Sequence, residues 1–167
     1  MKTKIAIAED NSFLLKAVRD KLSLFEDVEV KFWAMNGEEL LSKLEQDSNV
    51  QLILMDIEMP KMNGIEAVEK IAQKYPQIKI IMLTVFDNDE NIFKAIQAGA
   101  HGYFLKEVDP PTLHQGILDT LEGGAAMTPS IAMKALKLLR NPPNFEEAKG
   151  EIKLTAREIE ILEQTSK

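Results

Sequence analysis

The sequence contains no cysteine, two histidines, one tryptophan and no apolar run longer than a few residues. Without cysteine there are no disulfides and no thiolate metal sites, and the compartment is left open. With no cysteine and only two histidines, a zinc site is not the expectation. A membrane-spanning helix needs about 20 consecutive apolar residues, and none exist here. Met1-Lys2-Thr3-Lys4 leads into a strand too short to be a signal region. A cytoplasmic protein with no membrane partner is the expectation. Internal repeats and low-complexity tracts are absent as well.

What is present is a chain of 167 residues with 45% hydrophobic content, enough for one ordinary domain with a full core plus an appendage. The net charge of −7 is unevenly spread. Ile131 to Lys167 carries seven basic and six acidic residues, so about −8 falls on residues 1–130. An acidic main body repels phosphate backbones and is not a nucleic-acid surface.

Five strand patterns alternate with five helix patterns over about 120 residues. Lys4 to Ala8 is a first strand, stopping at Glu9-Asp10, and Asn11-Ser12 then offer N-cap chemistry for an amphipathic helix running to about Leu24. Val28 to Trp33 alternates as a strand, with Trp33 expected under the second helix, which carries Leu40, Leu41 and Leu44. Leu52 to Met55 is a buried strand ending on Asp56, and Pro60 to Gly64 loops into a third helix that Tyr75-Pro76 terminates. Ile78 to Thr84 is a fourth strand. Asp87-Asn88-Asp89 caps a helix that Gly99 closes, and Gly102 to Lys106 is a fifth strand. Asp109-Pro110-Pro111-Thr112 opens a fifth helix, stopped by Gly123-Gly124. His101 and His114 read as surface or loop residues, and the methionines as packing.

Parallel neighbours need helical crossovers, so this alternation predicts an α/β doubly wound parallel sheet of order 2-1-3-4-5. Its switch point lies between strands 1 and 3, whose ends carry Glu9-Asp10 and Asp56. Three carboxylates converging there repel one another unless a cation sits among them, and hard oxygen ligands suit magnesium. Lys106 and Thr84, at the ends of strands 5 and 4, supply an ammonium and a hydroxyl. Together these groups make a site that can take a phosphoryl group on Asp56 as an acyl phosphate.

At this point residues 3–123 resemble the receiver domain of bacterial two-component response regulators. The resemblance rests on an acidic pair after strand 1, the D-x-x-M-P-x-M-N-G stretch from Asp56 to Gly64, Thr84, and Y-x-x-K from Tyr103 to Lys106. It implies a flavodoxin-like (βα)5 receiver that accepts a phosphoryl group from a sensor histidine kinase on Asp56. It also implies magnesium held by Glu9, Asp10, Asp56 and the backbone carbonyl of Glu58. Thr84, Tyr103 and Lys106 are then the phosphoryl-binding and switch residues, Tyr103 turning inward as Thr84 moves. Phe13 and Leu14, at the start of the first helix, are candidates for kinase docking. A homodimer when phosphorylated is part of the same expectation.

Leu154 to Leu162, with Thr155 as N-cap and Glu158 as its capping-box partner, resembles the first helix of the LuxR-type helix-turn-helix domain of the NarL/FixJ subfamily. The expected organisation is a receiver over residues 1–124 and a linker over 125–150 with a short helix at about 130–140. Residues 151–167 would begin a truncated output domain, so DNA is contacted only through the missing part.

Three residues depart from the pattern. Glu107 stands where the family commonly has proline, Val85 where a smaller residue is usual, and Glu58 overhangs the site. The last two are expected to alter dephosphorylation. An aspartyl-phosphate phosphatase would also use carboxylates, Thr and Lys, and Glu58 has the spacing of its general acid, but no cap insertion encloses a substrate. A flavodoxin-like cofactor binder would need a phosphate loop where Glu9-Asp10 repels phosphate.

Overall fold

The computed structural model describes residues 2–143. The elements are β1 (Thr3–Ala8), α1 (Ser12–Leu22), β2 (Val28–Ala34), α2 (Gly37–Gln46), β3 (Leu52–Met55), α3 (Gly64–Lys74), β4 (Lys79–Thr84), α4 (Asp89–Ala98), β5 (Gly102–Leu105), α5 (Pro110–Leu121), β6 (Ala126–Met127) and α6 (Pro129–Arg140). All strand pairs are parallel, in the order β2-β1-β3-β4-β5-β6. The expected order 2-1-3-4-5 is present, with β6 added beyond β5. That sixth strand went unread because two residues carry no alternation to detect. The segment from Leu154 to Leu162 lies outside the described residues.

Backbone packing divides the chain into two units, Met1–Ala135 and Leu136–Lys167. The first holds the sheet. Ile5, Ile7, Leu52, Leu54, Ile81, Leu83 and Phe104 point to one face, where Leu15, Val18 and Leu22 of α1 and Leu113 and Ile117 of α5 complete a single apolar cluster. The alternate residues, among them Ile53, Met55, Ile80 and Met82, are buried on the opposite face with Leu40, Val68, Ile71 and Ile92. Strands covered on both sides need continuous apolar runs, which is why β3 is Leu-Ile-Leu-Met. In the second unit, Leu136 to Arg140 finishes α6.

Side-chain caps start the helices. Asn11 Oδ1 accepts from Leu14 N at 3.0 Å, Asn36 from Glu39 N at 2.8 Å and Asp109 from Thr112 N at 2.8 Å, while Asn63 and Glu66 form a reciprocal capping box. Each such cap contributes about 1 kcal/mol. At α4 the expected cap is incomplete: Asn88 occupies the position, but its Oδ1 accepts from Asn91 Nδ2 instead of the backbone. α1 stops at Leu22, two residues short of the expected Leu24, and Leu24 is exposed.

One side-chain placement differs from the sequence reading. The register of β1 on β2 slips after Ile5, which opposes Val30, so that Ala6 opposes Phe32 and Ile7 opposes Trp33. This bulge at Lys31 reverses the alternation. Trp33 therefore joins the face of Val28 and Val30, and its ring lies 4.0 Å beneath the Arg19 guanidinium of α1 rather than under α2. The histidines are also not idle. His114 stacks on Phe25 at 4.0 Å and meets Asp27 at 2.9 Å. His101 N donates to Ile80 O at 2.7 Å, and its Nδ1 accepts from Ile80 N at 3.1 Å, so one residue satisfies both groups of β4 before β5 begins.

Nδ1 can accept that bond only while it is unprotonated. Burial, helped by the nearby Lys79 charge, pushes the His101 imidazole below its ordinary value of 6.5. The stability it lends is complete above that value and is lost as pH falls below it. Urea unfolding from pH 7.5 down to about 5.5 should show a loss of about 1 kcal/mol from this residue. His101→Leu should be less stable at neutral pH and show a flatter slope over the same range. An unchanged slope in the variant would assign the acid sensitivity elsewhere.

Candidate functional site

Parallel pairing of β1 with β3, in register from Ile5–Leu52 to Ala8–Met55, brings the residues just beyond both strands to one edge of the sheet. Asp56 N donates to Ala8 O at 3.0 Å, extending the ladder by one residue and fixing Asp56 beside Glu9. Asp56 is 6% exposed and Glu9 3% exposed, whereas Asp10 faces solvent. One carboxylate oxygen from each of the three lies within 4.8 Å of the others.

The two buried acids are held by an ammonium. Lys106 Nζ donates to Asp56 Oδ2 at 3.0 Å and to Glu9 Oε1. The other oxygens are bound by backbone: Ile57 N donates to Asp56 Oδ1 at 2.8 Å, and Asn11 N to Glu9 Oε2 at 3.1 Å. Burial pushes the Glu9 carboxyl above its ordinary range, against the pull of the Lys106 and Asn11 hydrogen bonds, and the Asp56 charge adds to the rise. One lysine thus faces two carboxylates, with a third at the rim. An excess of negative charge on hard oxygens is the donor set that suits a small divalent cation.

The loop beyond Asp56 is set by Gly64. Its N donates to Ile57 O at 2.7 Å, and a Cβ on it would lie 1.9 Å from Asp56 O. Glu58, within this turn, and Val85, just after β4, are both exposed. Thr84 ends β4 fully buried, with Oγ1 3.4 Å from Phe86 N, and Thr84 O accepts from Lys106 N at 2.9 Å. Tyr103 lies inward with no exposure, its hydroxyl donating to Phe86 O at 2.6 Å. Burial pushes this phenol up, so it stays a proton donor. Phe13 is 79% exposed at the start of α1, and Leu14 beside it is half-buried.

The structure therefore brings Glu9, Asp10, Asp56, Thr84 and Lys106 to one edge, with Tyr103 one hydrogen bond away through Phe86. Sequence reasoning did not find the Phe86 carbonyl or Lys21, whose Nζ donates to Lys106 O and Val108 O. No local signal marks either, since Lys21 meets residues 85 and 87 positions away.

Residues 5–118 match the response regulator receiver domain. The transcriptional regulatory protein DegU of Brevibacillus brevis is 31% identical over 175 residues, spanning 97% of this chain and 74% of that protein. LnrK of Bacillus subtilis is 32% identical over 165 residues, spanning 95% of this chain and 74% of that one. The crystal structure of a LuxR-family two-component response regulator from Aurantimonas sp. superposes with a TM-score of 0.76 at 27% identity, covering 82% of this chain and 97% of that one. The chain belongs to the response regulator receiver family, on the branch of LuxR-type transcriptional regulators, and is a signalling protein rather than an enzyme.

The ion pairs predict a specific cost. Lys106→Met leaves Glu9 and Asp56 facing each other without a cation, which should destabilise the fold by about 3 kcal/mol at neutral pH. Millimolar magnesium should recover part of that loss, and Asp10→Asn in the same background should reduce the recovery. A loss insensitive to magnesium would remove the cation from the account of this cluster.

Proposed function

We propose that Asp56 is the phosphoacceptor of this receiver, supplied by a sensor histidine kinase. The observation that carries the reading is the environment of Asp56, buried at the end of β3 between the Ile57 amide and the Lys106 ammonium, with Glu9 and Asp10 beside it. An Asp56 carboxylate oxygen attacks phosphorus. The new O–P bond forms as the N–P bond of the donor phosphohistidine breaks, its electron pair returning to the imidazole. Glu9, Asp10, Asp56 and the Glu58 carbonyl would hold magnesium, which when bound neutralises the nucleophile and the incoming oxygens. Lys106 pairs with one phosphoryl oxygen, and the Thr84 hydroxyl turns from Phe86 N toward another.

The output follows from the same contacts. As Thr84 moves toward the phosphoryl group, the β4–α4 loop shifts with it; Tyr103, which already lies inward on Phe86 O rather than turning inward only then, must follow the loop or restrain it. A two-state surface biased by a local charge change is the result. Phe13 and Leu14 offer the kinase an apolar contact at the rim. Phosphorylation would favour a homodimer, and control would pass through the linker of residues 125–150 to a DNA-binding region beginning near residue 151. The receiver itself would span residues 1–124, in a cytoplasmic regulator that dephosphorylates itself slowly.

Intact mass tests the assignment. With magnesium and a small phosphodonor, the protein should gain about 80 Da, and Asp56→Asn should gain none. A gain retained in the variant would place the phosphoryl group on another residue. No gain in either, under conditions that label other receivers, would favour a docking domain that works without phosphorylation.

A further inference from the structure

We propose that Lys21, on α1, is a positioning residue that sets where the Lys106 ammonium stands, an inference that rests on Asp56 being the phosphoacceptor. β5 ends at Leu105, so Lys106 lies past the last strand position. Its backbone is tied to the sheet on one side, through Lys106 N to Thr84 O at 2.9 Å, and the turn after it closes through Val108 N to Leu105 O at 3.0 Å. The opposite side of this turn presents two carbonyls, Lys106 O and Val108 O, and both accept from Lys21 Nζ, at 2.7 and 2.8 Å. An ammonium has three donors in a compact head, which suits two converging carbonyls.

Lys21 is half-buried, and burial pushes its ammonium below its ordinary value, while the nearby charges of Asp109 and Glu107 favour its charged form. Those acids flank the turn without bonding Lys21, so the carbonyls are its hydrogen-bond partners. The register of the clamp is set from below. Leu22, next in the helix, and Val108, at the end of the turn, both belong to the apolar cluster under the sheet. A shift of the turn that carried the Lys106 Cα with it would move the root of the Lys106 side chain, whose ammonium must reach Glu9 and Asp56 at once. Misplacing a reacting group by about 1 Å costs about 100-fold in rate. No proline stiffens this turn, where Glu107 follows Lys106; Lys21 provides the restraint from outside.

The test compares the wild type, Lys21→Met and Lys21→Arg, each as the full 167-residue chain at a temperature where all are folded by melting curve. Lys21→Met keeps the apolar stem and deletes the donors. Its maximal rate of phosphorylation by a small donor with magnesium should fall about ten-fold, with the magnesium concentration for half-maximal rate unchanged, since the carboxylates are intact. Lys21→Arg, which restores donors to both carbonyls, should recover most of the rate. Amide exchange at residues 106–108 should accelerate in Lys21→Met and not in Lys21→Arg. A wild-type rate in Lys21→Met, or an arginine variant as slow as the methionine one, would overturn the assignment and leave Lys21 as a tie between α1 and the turn. If the wild type takes no phosphoryl group, the reading of Asp56 fails on its own. The clamp is then judged by exchange alone, and unchanged exchange in Lys21→Met would refute it.

Discussion

Two carboxylates are buried side by side at the edge of the sheet, and the Lys106 ammonium is the cation that makes this tolerable. The arrangement depends on everything beneath it. Glu9 and Asp56 are neighbours because β1 and β3 pair in parallel, and Lys106 reaches them from β5, two strands beyond β3. Burying a carboxylate without a partner is costly enough that the group protonates instead. The upward push on Glu9 shows that even with Lys106 in contact the desolvation is not fully offset. One cation among three acids is a balance left short of positive charge, which is the property a site needs if it is to accept a divalent ion and then an anionic phosphoryl group.

The fold supplies stiffness where that balance requires it. Backbone amides fix the remaining oxygens of both buried acids, and the close approach of Gly64 to the Asp56 carbonyl leaves the acid little room to move. The apolar cluster under α1 and α5 continues directly into the site, since Val108 belongs to it and stands two residues after Lys106. Site geometry and core packing are therefore one system.

Most of this was legible in the sequence because the features are local and periodic. Buried parallel strands read as apolar runs, Asn11 and Asp109 before helical patterns read as helix starts, and the acids, Thr84 and Lys106 each stand at the end of a run. The features that escaped reading are those in which one residue changes its meaning through a distant partner. The bulge at Lys31 moves Trp33 to the α1 face, and the adjacent apolar pair Phe32-Trp33, where the alternation lapses, does not by itself say which face Trp33 takes. β6 is too short to have a period and exists because β5 offers an open edge. His101 looks like a loop residue until β4 presents an N–H and a carbonyl that β5 does not yet reach. Lys21 falls on the polar side of an amphipathic pattern, where a solvated lysine is the ordinary expectation.

In the β4–α4 loop, magnitudes decide which contact would resist a shift. Phe86 N faces the Thr84 hydroxyl at 3.4 Å, Phe86 O accepts from Tyr103 at 2.6 Å, and Asp87 O accepts from Lys134 of α6 at 2.9 Å. A shift of Thr84 would disturb all three. The Lys134 contact is solvent-exposed on both sides, where such interactions are worth at most about 1 kcal/mol. The Tyr103 hydroxyl is inside the protein, and losing Phe86 O would leave it unpaired at a cost of about 1–3 kcal/mol. A movement of Thr84 would thus be tied mainly to Tyr103: the ring would follow the loop, or the loop would stay where the ring holds it. The weak start at Asn88, whose side chain does not cap α4, gives the loop freedom at its far end, so the stiff contact lies toward the acids and the compliant one toward the surface.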